Sequence, residues 1–272
     1  MFVVEAKPQI INELMNRPDV AEIDLDAILE LDRPKEVEDY VDGIESVEPG
    51  LKIINAHLLW AQGITGQGRL VMDIDTGVHP NHPALNFKWR GTHVPSSQAW
   101  FDPLGTTVPS DCDGHGSHTM GTMVGYSPST GDTVGVAPDA EWIAAKTICS
   151  SPHTSNSVAA FQWAIDPDGN PATITDMPDV INNSWYDPDI TDECSGIYKT
   201  TLDAVEAAGI AVVFSAGNNG SGASTITKPK NINTNNVNVM CTAAIDGNAY
   251  IGGNTNAIAD FSSRGPSLCG GT

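Results

Sequence analysis

Five short apolar runs, Leu70–Asp75 and residues 141–148, 179–184, 210–215 and 237–244, constrain the fold more than any other feature of this chain. They read as buried parallel strands. Between them, residues 157–165 and 200–208 carry helical periodicity with good helix formers. Strand and helix therefore alternate as in a doubly wound α/β sheet, and no internal repeat competes with that reading. In open sheets of this type ligands sit at the carboxyl ends of the strands. Three places just after a run stand out: Asp75, Asn218 and the segment around Ser184.

Composition bounds the surroundings. The 272 residues, 40% of them hydrophobic, suffice for one large domain. Against 13 basic residues stand 34 acidic ones, a formal net charge of -21. Such a surface repels nucleic acid and anionic membranes, which leaves neutral or cationic polypeptides as the easier partners and suits a protein kept soluble outside the cell. The five cysteines, Cys112, Cys149, Cys194, Cys241 and Cys269, include no C-x-x-C pair, which argues against a zinc knuckle or redox motif. Their odd number leaves at least one unpaired within the chain, and spacing alone assigns no connectivity. No run of about 18 apolar residues is present. Met1 leads into Phe-Val-Val-Glu without a signal peptide's charged and apolar regions, so either the protein is cytoplasmic or its true start lies upstream.

The opening residues form a separate piece. Residues 2–6 read as a strand, Pro8–Met15 as a helix with proline near its start, and residues 21–27, where apolar and acidic residues alternate, as a second strand. From 32 to 50 the chain turns acidic with prolines and glycines, a linker composition.

The polar residues carry the chemistry. Asp75-Thr-Gly alone would suit an aspartic protease, but no second such triplet follows, and a turn aspartate is the bland alternative. Further on stands Asp113-Gly-His115-Gly-Ser-His118-Thr-Met-Gly, a histidine entering a helix. Histidines three apart beside Cys112 and Asp113 suggest zinc, but H-E-x-x-H and a third ligand are lacking, so no metal site is assigned. Taken in order, Asp75-Thr-Gly, His115-Gly-Ser-His118, Val180-Ile-Asn-Asn-Ser184-Trp185, Phe214-Ser-Ala-Gly-Asn218 and Phe261-Ser-Ser-Arg-Gly-Pro266 resemble the subtilisin-like serine proteases (subtilases, peptidase S8). With Asp-Thr-Gly-Val and Val-Gly-Val-Ala-Pro138, the stretch from Trp60 to Pro266 looks most like the bacillopeptidase F branch.

That resemblance implies a subtilisin-type doubly wound sheet preceded by a partial α+β inhibitory prodomain. Residues 1–33 would be its C-terminal half, 34–50 a linker with the processing site, and 51–272 the catalytic domain. Asp75 would orient the imidazole, His115 would act as general base and then acid, and Asn218 would donate to the oxyanion, as acyl transfer requires. His118, a turn further on, is structural. Ser184, Trp185 and Tyr186 on one side, with Ser215, Ala216 and Gly217 on the other, would bind extended substrate. The prodomain would occupy that cleft as an intramolecular inhibitor, and the parent enzyme would be secreted. No cofactor is needed for the chemistry. A structural calcium fits the family, although Ala84 stands where relatives have a calcium-holding carboxylate.

Three departures qualify the match. The family's G-T-S-M-A, which carries the nucleophilic serine, has no counterpart through Thr272, so residues 1–272 alone should not hydrolyse peptides. Ser267, Ser262 and Ser263 do not fit that role. Tyr186-Asp187 replaces two glycines beside the substrate strand and leaves specificity open. Asp73, two residues before Asp75, shares its strand face, and the two are expected to share hydrogen bonds or a proton. The competing functional reading is a non-catalytic, peptide-binding pseudoprotease.

Overall fold

The computed structural model describes residues 1–33, 47–190, 194–232, 239–254 and 257–269. In chain order, α1 (Pro8–Met15), β1 (Glu30–Leu31), α2 (Pro49–Ile53) and α3 (Ala56–Trp60) precede β2 (Leu70–Asp75), β3 (Trp100–Phe101) and α4 (His115–Val124). There follow β4 (Tyr126–Ser127), β5 (Asp132–Thr133), β6 (Glu141–Lys146), α5 (Thr154–Ile165), β7 (Val180–Asn183) and β8 (Trp185–Tyr186). The described chain ends with α6 (Ile197–Ala207), β9 (Ala211–Ser215), β10 (Met240–Thr242) and α7 (Gly247–Ile251).

The expected α/β sheet forms, six parallel strands in the order β10-β9-β7-β2-β6-β3. From β2 the chain fills one side with β3 and β6, then crosses to lay β7, β9 and β10 on the other. The carboxyl end of β2 is thus the topological switch point, where an open sheet leaves a crevice. Both faces of β2 are buried, so its alternation sorts residues by layer rather than by solvent. Leu70, Met72 and Ile74 enter the cluster that holds Phe161 of α5 and Leu202 and Val205 of α6. Val71 enters the opposite cluster, with Met120 and Val124 of α4 and Trp142 of β6. By the same period of two, Asp73 and Asp75 face α4.

The opening segment departs from expectation. Helix α1 forms over the anticipated residues, but 2–6 and 21–27 are not strands. Phe2 is 95% exposed and Leu25 68%, so the apolar side of this piece has no sheet to lie on. A strand without a hydrogen-bonding partner is only extended chain. Pairing begins where a partner exists, at Glu30–Leu31, which joins β8 antiparallel. Residues 34–46, most of the expected linker, and residues 237–238 of the last apolar run lie outside the described residues.

Cys112 bonds to Cys149 and Cys194 to Cys269, leaving Cys241 free. Burial pushes the Cys241 thiol up to about 11, so little thiolate is present at neutral pH. The first bridge closes 37 residues and ties the loop before α4 to the end of β6. Replacing both Cys112 and Cys149 by alanine is expected to lower unfolding free energy by about 4 kcal/mol on the loop-closure relation. Urea titration measures it; a loss under about 1 kcal/mol would show that the bridge does not constrain the unfolded chain.

Candidate active site

Asp75 ends β2 fully buried, and His115 opens α4. They meet because the turn after β2 and the first turn of α4 touch backbone to backbone. A Cβ on Gly116 would lie 2.1 Å from the Gly77 carbonyl oxygen, and one on Gly77, at φ +96°, would lie 2.1 Å from that of Ser110. Glycine at both positions is a condition of the contact. His115 Nδ1 then stands 2.8 and 2.9 Å from the two Asp75 carboxylate oxygens, and the Thr76 amide donates to Asp75 Oδ1 at 2.7 Å. The other ring nitrogen, Nε2, faces the Asp32 carbonyl at 3.3 Å.

Sequence reasoning missed the residue that seats α4. Asp111 Oδ1 accepts from the amides of Asp113 and Gly114 and from the Thr76 hydroxyl. Its Oδ2 accepts from the amide and hydroxyl of Ser117. Burial works against this carboxylate, but the donors outweigh it and hold its pKa below the usual range. The signal was weak, an aspartate three residues ahead of the helix's N-cap glycine rather than at the cap position itself. Cys112 and Asp113, weighed as metal donors, are otherwise engaged: one is disulfide-bonded and the other pairs with Arg33.

Asp73 lies beneath this pair. It accepts from the Thr119 hydroxyl at 2.5 Å and from Asn182 Nδ2 at 2.9 Å, with no hydrogen bond to Asp75. Burial, then the nearby Asp75 charge, raise its pKa well above the ordinary carboxyl value. Asp75 itself is raised by burial, against the pull of His115. For His115, burial opposes the charged form, but the Asp75 hydrogen bond and charge, helped by the Asp32 carbonyl, push the imidazole up to about 9.

Of the residues expected to line the cleft, Ser184, Trp185, Tyr186 and Ser215 meet residues 26–33 directly. Asp26 caps α5, accepting from the Ser155 amide at 2.8 Å and its hydroxyl at 2.9 Å. The Leu29 amide donates to the Pro152 carbonyl, Glu30 and Leu31 pair with Tyr186 and Trp185, and the Asp32 amide donates to the Ser184 carbonyl at 2.9 Å. On the opposite wall Ser215 Oγ donates to Asp32 Oδ2 at 2.6 Å, and Asn218 Nδ2 donates to the Arg33 carbonyl at 2.6 Å. Ala216 and Gly217 follow in the chain, both buried; the Ala216 amide donates to the Thr242 carbonyl and the Gly217 carbonyl accepts from the Ser263 amide. Tyr186 hydrogen-bonds Glu30, which pushes its phenol up to about 12. Asp187, beside it, points away into the protein and accepts from Thr154 Oγ1 at 2.7 Å.

The remaining candidates lie elsewhere. Ser262 and Ser263 are buried and accept from the amides of Ala244 and Asn219, while Ser267 donates to the Asn231 carbonyl. His118 is exposed. Asp166, Asp168 and Asp176 offer carboxylate oxygens within 4.8 Å of one another, a donor set suited to a hard divalent cation, but away from His115. Among the described residues no helix is long and apolar enough to cross a membrane.

An Asp–His pair at the switch point of a parallel sheet, with an asparagine amide across an extended segment, is the arrangement of an α/β protein of subtilisin type. Residues 66–271 match the Subtilase family, and the chain belongs to it. It is 36% identical over 248 residues to bacillopeptidase F of Bacillus subtilis (strain 168), covering 86% of this chain and 16% of that protein. Subtilisin E of the same organism is 33% identical over 213 residues, 76% of this chain and 51% of that one. The chain therefore spans about half or less of these relatives' length. Among solved structures, S41 psychrophilic protease superposes with a TM-score of 0.54 at 26% identity, covering 74% of this chain and 60% of that one.

Two pH dependences follow. A histidine whose folded pKa is raised adds stability in full below about 6.5 and loses it as pH rises through the folded value. Asp75→Asn should therefore destabilise most near pH 6, the deficit shrinking as pH passes about 9. In parallel, NMR titration of His115 should show its pKa falling; an unmoved pKa would show that Asp75 does not hold the charge. Asp73 runs the other way. A carboxyl raised on folding costs stability once pH exceeds its unfolded value of about 3.9. Asp73→Asn is expected to raise Tm at pH 7, with the gain gone below about pH 4; a lower Tm at pH 7 would mean that Asp73 is ionised in the fold.

Proposed function

We propose that this chain carries the base, its orienting carboxylate and the oxyanion donor of a secreted serine endopeptidase, with residues 26–33 seated as its own inhibitor. The observation that carries the reading is the joint placement of Asp75, His115 and Asn218 around two consecutive backbone carbonyls of an extended peptide. In the reaction a serine Oγ attacks a substrate carbonyl carbon while His115 Nε2 takes the hydroxyl proton. Asp75 holds the Nδ1 proton and stabilises the imidazolium. Charge that develops on the carbonyl oxygen is met by Asn218 Nδ2. His115 then passes its proton to the leaving amine, and water releases the acyl group by the same steps in reverse order.

The serine is proposed to lie in a G-T-S-M-A segment beyond Thr272. On this reading the chain is latent: a seated peptide would block substrate, and an imidazole held cationic toward pH 9 is a poor base at neutrality. Two disulfides agree with an oxidising, extracellular setting.

The test is a fluorophosphonate probe on the polypeptide encoded by the uninterrupted reading frame. Labelling at a serine C-terminal to Thr272, at least about 1,000-fold slower after His115→Ala, is expected. A frame that closes without such a serine, with no labelling, would replace this reading by the peptide-binding one.

A further inference from the structure

One buried charge in the groove is unused by this mechanism. The Lys230 side chain is fully buried, and the carboxylate it pairs with belongs to Asp32, a residue of the seated segment. Among the described residues it also donates to Ser215 Oγ at 3.4 Å, the Cys241 thiol lies close enough to interact with it electrostatically, and the Tyr186 ring covers it with its centroid 5.7 Å away. The Asp32 side chain is itself only 5% exposed, held between the ammonium and Ser215 Oγ. Ser184 to Tyr186 hold the backbone of the segment on one side, while Ser215 on the other side meets the Asp32 side chain itself. Asp32 thus enters as a ligand enters a binding site, main chain on the rails and side chain in the hole.

An ammonium stripped of water is costly to bury unless a carboxylate compensates it. Burial accordingly pushes the Lys230 pKa down, and Asp32 pulls it back. A pocket meant for an apolar side chain would gain nothing from a lysine at its floor. We propose that Lys230 makes this pocket selective for an acidic side chain on the residue preceding the cleaved bond, and that Asp32–Arg33 is the bond of this chain so presented. The proposal rests on the serine endopeptidase reading and names its substrate class.

Two contacts around the bond support the register. The Asp32 carbonyl is the one that faces His115 Nε2, at 3.3 Å. Past it Arg33 turns out of the groove, and its guanidinium takes both oxygens of Asp113 at 3.1 and 3.0 Å. Cleavage would join serine Oγ to the Asp32 carbonyl carbon and break its bond to the Arg33 nitrogen, which leaves with the proton from His115. For this the Asn218 amide moves one carbonyl back along the segment, from Arg33 to Asp32.

The experiment uses the full-length enzyme and nitroanilides of Leu-Glu-Leu-X, the sequence that precedes Asp32, with X as Asp, Glu, Leu, Phe or Lys. With X as Asp or Glu, kcat/KM is expected to exceed that for Leu by roughly 10-fold or more. Lys230→Met should lower it about 100-fold for the acidic peptides and raise it for Leu, which also shows that the variant folds. Mass spectrometry of the matured enzyme should find Arg33 as its first residue. Preference for Leu or Phe, unchanged in Lys230→Met, would overturn the acidic pocket while leaving the serine endopeptidase standing. If no peptide is cleaved and no serine is labelled, the enzyme reading fails, and the pocket is judged on residues 1–272 alone. There Asp32→Leu should lower Tm and the double variant with Lys230→Met should recover it; no recovery would overturn the pairing.

Discussion

The contact between the end of β2 and the start of α4 is the constraint on which the site depends. A carboxylate as buried as Asp75 survives in a protein interior only with donors and a countercharge in place. The Thr76 amide and the His115 ring provide them. The ring can do so because Gly77 and Gly116 let two backbones approach closer than any side chain would allow. Asp111 fixes the same junction from the other side, joining the Thr76 hydroxyl to the first turn of α4. Had β2 slipped by one residue, Asp73 and Asp75 would point at α5 and α6, into an apolar cluster with no histidine.

The groove is a second consequence of the sheet. Where β7 ends, the chain runs on through Ser184 into β8, and across from it β9 runs into residues 215–217. An extended peptide placed between them finds backbone partners on one side and polar side chains on the other. Residues 26–33 exploit this with five anchors of different kinds: a helix cap at Asp26, the buried apolar Leu29, the two-residue ladder at Glu30 and Leu31, the ion pair at Asp32 and the surface pair at Arg33. Only the last is solvent-exposed enough to be worth little. Because the segment belongs to the same chain, these modest contacts act at high effective concentration, and the groove stays filled without a tight intrinsic affinity.

Much of this was legible in the sequence for identifiable reasons. The strands could be found because parallel strands are buried on both faces and so read as apolar runs; Asp75, His115 and Asn218 could be found because each stands at the carboxyl end of such a run or opens the helix it meets. Helix α1 was visible in its periodicity and its proline. The flanking strands were overcalled because alternation at residues 21–27 records a face that wants a partner, not the partner itself. Asp32 and Lys230 were invisible. One is a single aspartate in an acidic stretch and the other a lysine beside a proline, 198 positions apart, and neither periodicity nor a short motif records such a pairing. Asp73 was read correctly as a neighbour of Asp75 on one face, yet its hydrogen bonds go to Thr119 and Asn182, which the strand pattern alone does not reveal.

The two ionisable networks of the site differ in what removal of the peptide does to them. Asp75 and His115 are held by the fold itself, so their pairing outlasts the segment, and departure of the Asp32 carbonyl takes away one acceptor that favours the imidazolium. Lys230 has no such insurance among the described residues, since the carboxylate it meets leaves with the segment. On the proposed reading, opening the groove would return His115 toward its working state and at the same time uncover an ammonium whose cheapest new neighbours are water or another carboxylate. On the same reading, the charge that holds residues 26–33 in place becomes, once they leave, the charge that selects the next occupant.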